Sequence, residues 1–188
     1  ILEGRWFADE RIVDDYVKFW FRKGAGLPTV ASYTNWILSA AWQRSLVTGN
    51  RSALDAVRDN AAELFRTTYV SQYLTNSTQN AATWRAQRLC WRQGDGQDAM
   101  EVSVSGSGCR PTIASALFGE ASVLAALSDD PAVVDEFSRW ANFSRDVIMR
   151  QHWNPDVGLF AVIPPPAAAA KRSGWGTDAT TAAGPVGG

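Results

Sequence analysis

Apolar residues recur at helical spacing in five separate stretches of the chain. In each stretch an apolar side chain returns every three or four residues, which is the period of an amphipathic α-helix. The first stretch is apolar around most of its circumference, so we expect this helix to be buried on most sides. The pattern predicts helices over residues 9–23, 31–47, 52–73, 112–128 and 131–151.

Short polar connections join these helices in pairs. Gly49 and Asn50, between the second and third helices, are typical of one helix ending and another beginning. So short a connection makes the two helices antiparallel neighbours. Asp130 and Pro131 open the fifth helix with an N-cap acid and a proline at the first helical position. The sequence therefore predicts an all-α fold of two helical hairpins, which hide their apolar faces by stacking on neighbours in a larger array.

A polar segment over residues 94–111 separates the two hairpins. It places charged side chains among glycines and serines, and glycine lets a backbone approach a ligand closely. Loops of this length are functional or disordered, so two interpretations stay open: a site of chemistry, or a solvated connection. Residues 88–91 and 100–104 are β-compatible and could pair as a small ribbon.

The composition changes abruptly after Ile163. Proline, alanine, glycine, serine and threonine dominate from there to the end, and such a segment has little to bury. We predict one domain over residues 1–163 and a disordered, low-complexity tail over residues 164–188. Because the chain begins with Ile1 and not with methionine, we expect the natural start to lie outside it.

Charge and hydropathy exclude two classes of partner. The formal net charge is −1 without a basic run, so the electrostatic footprint of a nucleic-acid-binding protein is missing. No apolar stretch approaches the ~20 residues that a membrane span needs. Three N-x-S/T sequons, at Asn50, Asn76 and Asn142, tilt the prediction toward a secretory route. Nothing in the pattern indicates an oligomeric state.

The two cysteines bracket the polar segment. Cys90 and Cys109 with the single histidine, His152, fall short of the four ligands of a structural zinc site, so we predict no metal and no cofactor. A disulfide that closes the segment and two free buried thiols are equally compatible with the sequence. His152 precedes a turn, where a packed or capped side chain is the simpler interpretation.

Four segments in linked order resemble the six-hairpin, or (α/α)6-toroid, glycoside hydrolases, and within them the trehalase and mannosyl-oligosaccharide glucosidase branch. The resemblance covers residues 1–163. Its most specific part is Asp98-Ala99-Met100-Glu101-Val102-Ser103 followed by Ser105-Gly106-Ser107-Gly108-Cys109-Arg110-Pro111-Thr112, which is similar to D-G-M-E-x-S…G-x-G-[YF]-R-P-T. The other segments are Glu3-Gly4-Arg5-Trp6, Tyr33-Thr34-Asn35-Trp36 and Asn154-Pro155-Asp156-Val157-Gly158-Leu159-Phe160.

The chain departs from that pattern at two positions. Ala99 stands in place of the usual glycine, and Cys109 in place of the usual aromatic residue. A full toroid also needs about twice as many helices as this chain predicts. The resemblance therefore implies a partial or diverged member of the family.

Glu101 is the candidate general acid. Glycoside hydrolysis needs a carboxylic acid that protonates the leaving oxygen and, in inverting enzymes, a carboxylate base ~6.5–9.5 Å away. The resemblance puts Glu101 in the place of the acid, and the alternative is an ordinary exposed glutamate. Asp98 is a second candidate, which could orient Arg110 or bind a sugar hydroxyl. In an extended segment positions 98 and 101 face opposite sides, so they make a poor acid–base pair. The resemblance implies that the base comes from a later hairpin.

Four further residues are candidates for substrate binding. Arg110 could hold a sugar hydroxyl or anchor the loop through Asp98 or Glu101. Trp6, Trp36 and Trp91 could stack on sugars, although most of the nine tryptophans are expected in the core. Glu120 falls on the apolar stripe of the fourth helix, where an unpaired charge would be costly, so we expect an arginine partner for it and a structural role.

The resemblance thus implies the N-terminal portion of a glycosidase catalytic domain, inverting and acting on an α-linked glycan. The alternative is a non-catalytic carbohydrate-binding or scaffold protein derived from such an enzyme. Another sugar-active enzyme of the same architecture, such as a lyase, epimerase or phosphorylase, also fits the residues.

Overall fold

The computed structural model describes residues 3–7, 9–22, 35–75, 89–93 and 108–164. Over these ranges the chain is mainly helical, as the pattern predicts. A short 3-10 helix over Glu3–Trp6 precedes the first α-helix. The α-helices of the described ranges are α1 (Arg11–Phe21), α2 (Ile37–Thr48), α3 (Ser52–Leu64), α4 (Pro111–Leu127) and α5 (Pro131–Val147).

Two of these helices continue as π-helix. The segment Phe65–Tyr73 extends α3, and the segment Ile148–His152 extends α5. The predicted helices over 52–73 and 131–151 therefore each consist of an α-helix followed by a π-helix. In the first π segment Phe65, Tyr69 and Tyr73 are buried. They recur every four residues, so the wider turn still presents one apolar face to the core.

The predicted helix boundaries rest on capping. Gly49 has φ +72° and follows the last turn of α2, where its N–H donates to the Ser45 carbonyl and a side chain at this φ would be strained. Asp130 caps α5, because its Oδ1 accepts from the Ala132 N–H at 2.9 Å. Pro131 then occupies the first turn, where no partner for its missing N–H is needed.

The second predicted hairpin, α4 with α5, forms the centre of the molecule. α4 buries residues around most of its surface, among them Ile113, Leu117 and Leu124. Side chains from α1, α2 and α3 join the same core, including Val17, Leu38 and Leu54.

α1 corrects one prediction. Its inner face is buried through Val13, Val17 and Phe21, but Ile12 is 65% exposed and Tyr16 is 49% exposed. The helix is therefore apolar on two sides and buried on one. The hydrophobic pattern predicts which faces of a helix are apolar, but it does not predict how many of those faces pack against another element.

A buried cation ties α1 to α2. The Arg44 side chain is 5% exposed and lies 2.6 Å from the Asp14 carboxylate and 3.5 Å from Glu10. Asn50 donates to the same Glu10 carboxylate at 2.6 Å. Buried charges need such partners, because desolvation of an unpaired ion costs several kcal/mol.

Within the described ranges, the strands are short and belong to two ribbons. β1 (Arg92–Gln93) pairs with β2 (Gly108–Cys109), and β3 (Trp153–Asn154) pairs with β4 (Leu159–Phe160), both antiparallel. The turn of the second ribbon contains Gly158 at φ +66°. In the described part of the chain no helix is long and apolar enough to cross a bilayer. Of the predicted tail only Pro164 is described.

Candidate active site

The ribbon of β1 and β2 stands at the two ends of the polar segment. Arg92 lies opposite Cys109, and Gln93 lies opposite Gly108. The predicted strand over 100–104 lies outside the described residues. The strand β1, which follows the predicted strand over 88–91, pairs with residues 108–109, so the ribbon closes at the base of the segment.

A disulfide joins the same two strands. Cys90 and Cys109 are bonded, with their Cα atoms 5.9 Å apart and a sequence separation of 19. Both are buried, at 1% and 0% exposure. Of the two alternatives that the sequence leaves open, the structure has the disulfide.

A third chain segment extends the ribbon on the side of β1. Leu74 forms an antiparallel bridge with Trp91. The Thr75 N–H donates to the Cys90 carbonyl at 3.1 Å, and the Cys90 N–H donates to Thr75 Oγ1 at 3.2 Å. The end of the α3 extension is therefore held directly against the first strand.

A fourth segment extends it on the side of β2. Cys109 and Ile163 exchange two backbone hydrogen bonds of 2.9 Å each. Gly108 makes this approach feasible, since a Cβ there would lie 2.5 Å from the Ile163 carbonyl oxygen. We call the four joined segments, residues 74–75, 90–93, 108–110 and 163, the platform. It fixes both ends of the segment that carries the predicted catalytic residues.

Glu101 and Asp98 themselves lie outside the described residues. The described chain resumes at Gly108, only seven positions after Glu101. Their predicted roles therefore stay predictions, and what the structure adds is the frame that holds their segment.

Arg110 is buried in the platform. The residue is 1% exposed, and its N–H donates to the Trp91 carbonyl at 3.1 Å. Its carbonyl accepts from Ala114 at 3.3 Å, which begins α4. Burial lowers the pKa of the Arg110 guanidinium, because the low-polarity surroundings disfavour the charged form. The residue thus joins the ribbon to the central helix.

Trp91 has the environment of a core residue. It is 0% exposed, and its Nε1 donates to Ser144 Oγ at 2.8 Å. Its ring packs against those of Phe65, Trp140 and Phe143, with centroids 6.2, 5.7 and 5.6 Å away. Protein surrounds the indole, so Trp91 supports the platform from beneath.

Trp6 and Trp36 lie at the surface. They are 70% and 53% exposed, in contrast to Trp91. Trp36 is the residue directly before α2, with φ −140° and ψ 50°. An exposed ring on a fixed backbone can stack on the apolar face of a sugar.

Glu120 has partners other than the expected arginine. The residue is 1% exposed, and its Oε2 accepts from the Leu38 N–H at 3.2 Å. Its Oε1 accepts from the Ser39 N–H at 3.0 Å and from Ser39 Oγ at 3.1 Å. The carboxylate of α4 thus caps the N-terminus of α2. Desolvation raises the pKa of Glu120 to about 7 against the opposing effect of these hydrogen bonds.

His152 is packed, as predicted. It is 1% exposed, and its Nδ1 lies 2.8 Å from the Ala161 carbonyl oxygen, while its Nε2 has no hydrogen-bond partner among the residues that the structure describes. Burial lowers the pKa of His152, which favours the neutral ring. Among the described residues no group of three metal-binding side chains comes together.

A cleft of about 470 Å³ lies away from the platform, at the turn between α4 and α5. Its lining includes Arg58, Arg66 and Asp130. α4 has 17 residues, so its two ends are about 25 Å apart, and the platform is at the other end. Phe137, the aromatic residue of this cleft, is fully buried and offers no ring to a sugar.

Comparisons with known proteins show the family of the chain and a similar solved fold. The model of the mannosylglycerate hydrolase MGH1-like glycoside hydrolase domain matches residues 1–184. A solved structure named a sialidase is similar with a TM-score of 0.70 at 23% identity, which shows a shared fold. The match covers 85% of this chain and 14% of the sialidase chain, so the chain spans about a seventh of its length. Comparison with curated proteins finds none that matches.

Proposed function

Because the chain belongs to the family of the mannosylglycerate hydrolase MGH1-like glycoside hydrolase domain, we propose that its complete gene product hydrolyses an α-linked glycan with inversion. The chain supplies the N-terminal portion of the catalytic domain in this proposal. The observation that carries it is the extent of the family match, residues 1–184. The platform adds support, because a rigid base is what a catalytic loop requires.

We propose Glu101 as the general acid. Its segment starts after Gln93 and ends before Gly108, and both of these residues belong to the paired strands. A loop whose ends are fixed loses less entropy when a ligand orders it. Glu101 would protonate the leaving oxygen while a carboxylate from another part of the protein activates water. Asp98 would bind a sugar hydroxyl or orient Arg110, since positions 98 and 101 face opposite sides of an extended segment and make a poor acid–base pair.

The substrate would be held by exposed aromatic rings and by the base of the loop. Trp36 and Trp6 have the exposure that stacking needs. Arg110, buried at the start of α4, would anchor the loop through one of its carboxylates, because buried cations are paired. Trp91 would not contact the sugar; its buried ring would keep the platform rigid.

We also propose that the hairpins belong to an (α/α)6 toroid. The helices α4 and α5 pack closely as one pair, and helix pairs are the repeating unit of such a ring. The outer face of α1, where Ile12 and Tyr16 are exposed, offers an apolar surface to a further helix.

The test is a hydrolysis screen on the complete gene product. Aryl α-glucosides, aryl α-mannosides and mannosylglycerate, the substrate in the family's name, would be incubated with the protein. Proton NMR in the first minutes would then read the anomer released. We expect a sugar of β configuration from one of these α-linked substrates. Release of the α anomer would refute inversion.

The alternative is a non-catalytic carbohydrate-binding protein derived from the family. Two departures favour it: Ala99 in the acidic motif, and Cys109, which forms a disulfide where the resembling enzymes have an aromatic residue. Binding of the same sugars without hydrolysis would support this alternative and would refute the catalytic proposal.

A further inference from the structure

In the described part of the chain, the first turn of α2 receives no side-chain cap from the residue before it. Trp36 occupies the N-cap position, and no side-chain cap is made there. The first N–H groups of a helix lack partners within the helix, and a buried helix end must satisfy them in another way. Here the partner is the Glu120 carboxylate, which comes from α4, 82 positions away from Leu38.

The sequence of α4 makes this contact feasible. Gly119 precedes the carboxylate, and a Cβ at this position would lie 2.5 Å from Ser39 Oγ. Glycine therefore lets α4 come close enough to α2 for Glu120 to reach two backbone N–H groups and one hydroxyl. A larger residue would push the two helices apart.

The neighbouring polar residues also converge on the entrance of α2. Asn35 Nδ2 donates to the Tyr69 hydroxyl at 3.4 Å, and Tyr69 comes from the π segment after α3. Burial raises the pKa of the Tyr69 hydroxyl, and the charge of the nearby Glu120 adds to this rise. The π segment thus holds Asn35, next to Trp36, while α4 holds the first turn of α2.

We propose that Glu120 is a positioning residue for Trp36. By binding Leu38 and Ser39 it fixes the first turn of α2, and so the backbone on which the exposed Trp36 ring stands. The ring is the part of this arrangement that meets solvent. Its role as a carbohydrate contact rests on the proposed function; its dependence on Glu120 does not.

The charge of Glu120 is sensitive to few neighbours. On the α2 side it faces backbone N–H groups and the Ser39 hydroxyl, and on the π-segment side it faces Tyr69, whose own pKa lies far above neutral. Among the described residues, desolvation raises its pKa, and the hydrogen bonds from Ser39 and Leu38 oppose that rise. Protonation replaces an acceptor with an O–H donor, so the geometry of the cap must change when this group titrates.

The test is fluorine NMR of the complete protein labelled with 5-fluorotryptophan. The Trp36 resonance is assigned by its loss in Trp36→Phe, and it is compared in the wild type, Glu120→Gln and Glu136→Gln. Glu136 is the matched control, because it is a glutamate of α5 that binds Arg66 near the surface. We expect the Trp36 resonance to move in Glu120→Gln and to stay in place in Glu136→Gln, while that of Trp153 stays in place in both.

A pH titration of the wild type gives a second readout that does not depend on the folding of a variant. The Trp36 resonance should shift between pH 5 and 9 with a midpoint near 7, whereas the Trp153 resonance should not follow it. A Trp36 resonance that is unchanged by pH, or unchanged in folded Glu120→Gln, would overturn the proposal.

Kinetics separates this proposal from the proposed function. If Trp36 stacks on the substrate, Glu120→Gln should raise KM by about two- to ten-fold and leave kcat nearly unchanged, which is the range expected for one aromatic contact. A protein that hydrolyses no glycoside while its Trp36 resonance responds would sink the proposed function and leave the positioning role standing. A two- to ten-fold fall of kcat in Glu120→Gln with no change in KM would overturn the role of Trp36 as a contact.

Discussion

Removal of the Cys90–Cys109 disulfide should lower the free energy of unfolding by about 3 kcal/mol. The bond closes a loop over a sequence separation of 19 residues. In the chain-entropy model a loop of this length restricts the unfolded state by about 3 kcal/mol at 25 °C. For a chain of this size each kcal/mol corresponds to about 2–4 °C, so the melting temperature should fall by about 6–12 °C.

Urea unfolding of Cys90→Ala, Cys109→Ala and the double variant would measure this loss. Each single variant breaks the same bond, so we expect each to cost almost as much as both together. Reduced wild-type protein is the control, because it keeps both sulfur atoms in the core and lacks only the bond. Its difference from the double variant therefore isolates the packing of the two thiols.

Two results would refute this reasoning. Single variants whose losses add up would mean that packing, and not loop closure, carries the effect. A loss below about 1 kcal/mol in the double variant would mean that the backbone pairing of the platform already restricts the loop in the unfolded chain.

Three further predictions concern the core around the platform and α2. Trp91→Phe should cost about 1–3 kcal/mol, because it leaves the buried Ser144 hydroxyl without the indole N–H; a double-mutant cycle with Ser144→Ala, read by urea unfolding, should recover a coupling of about 1 kcal/mol, and strict additivity would argue against the bond. Gly119→Ala should cost about 1–3 kcal/mol through its contact with Ser39 Oγ, and thermal unfolding should show partial recovery in Gly119→Ala with Ser39→Gly. The folded pKa of Glu120, about 7, exceeds its ordinary value of 4.5, so its contribution to stability is complete below about pH 4.5 and is lost as the pH rises through 7, on the order of 3 kcal/mol. The free energy of unfolding, measured at several pH values, should therefore fall with pH in the wild type and lose this dependence in Glu120→Gln. An unchanged pH dependence in the variant would assign it to another group.

The helices were predictable because their signals are local. The 3.6-residue period marks each amphipathic stretch, and Gly49 and the Asp130–Pro131 pair mark where helices end and begin. The π character of Phe65–Tyr73 was not predictable, since an apolar residue at every fourth position fits an α-helix as well.

The contacts of the candidate site were harder to predict from the sequence, because they join residues far apart in the chain. No local feature of Glu120 indicates that it faces a helix N-terminus 82 positions away; its place on an apolar stripe only predicted that it needed a partner. The partner of β1 was equally hidden, since residues 100–104 and residues 108–109 both suit a short strand. The tryptophans show the same limit: composition cannot tell the buried Trp91 from the exposed Trp36.

The measurement that tests the central claim most directly is the dependence of Glu101→Gln activity on the leaving group. A general acid contributes about 10²–10⁴-fold when the leaving oxygen is basic, and almost nothing when that oxygen leaves as a stable anion. In the complete gene product, kcat/KM of Glu101→Gln should therefore fall by about that factor on an alkyl glycoside and remain close to the wild-type value on the 2,4-dinitrophenyl glycoside of the same sugar. An equal loss on both substrates, or no loss on either, would contradict the assignment of Glu101 as the acid.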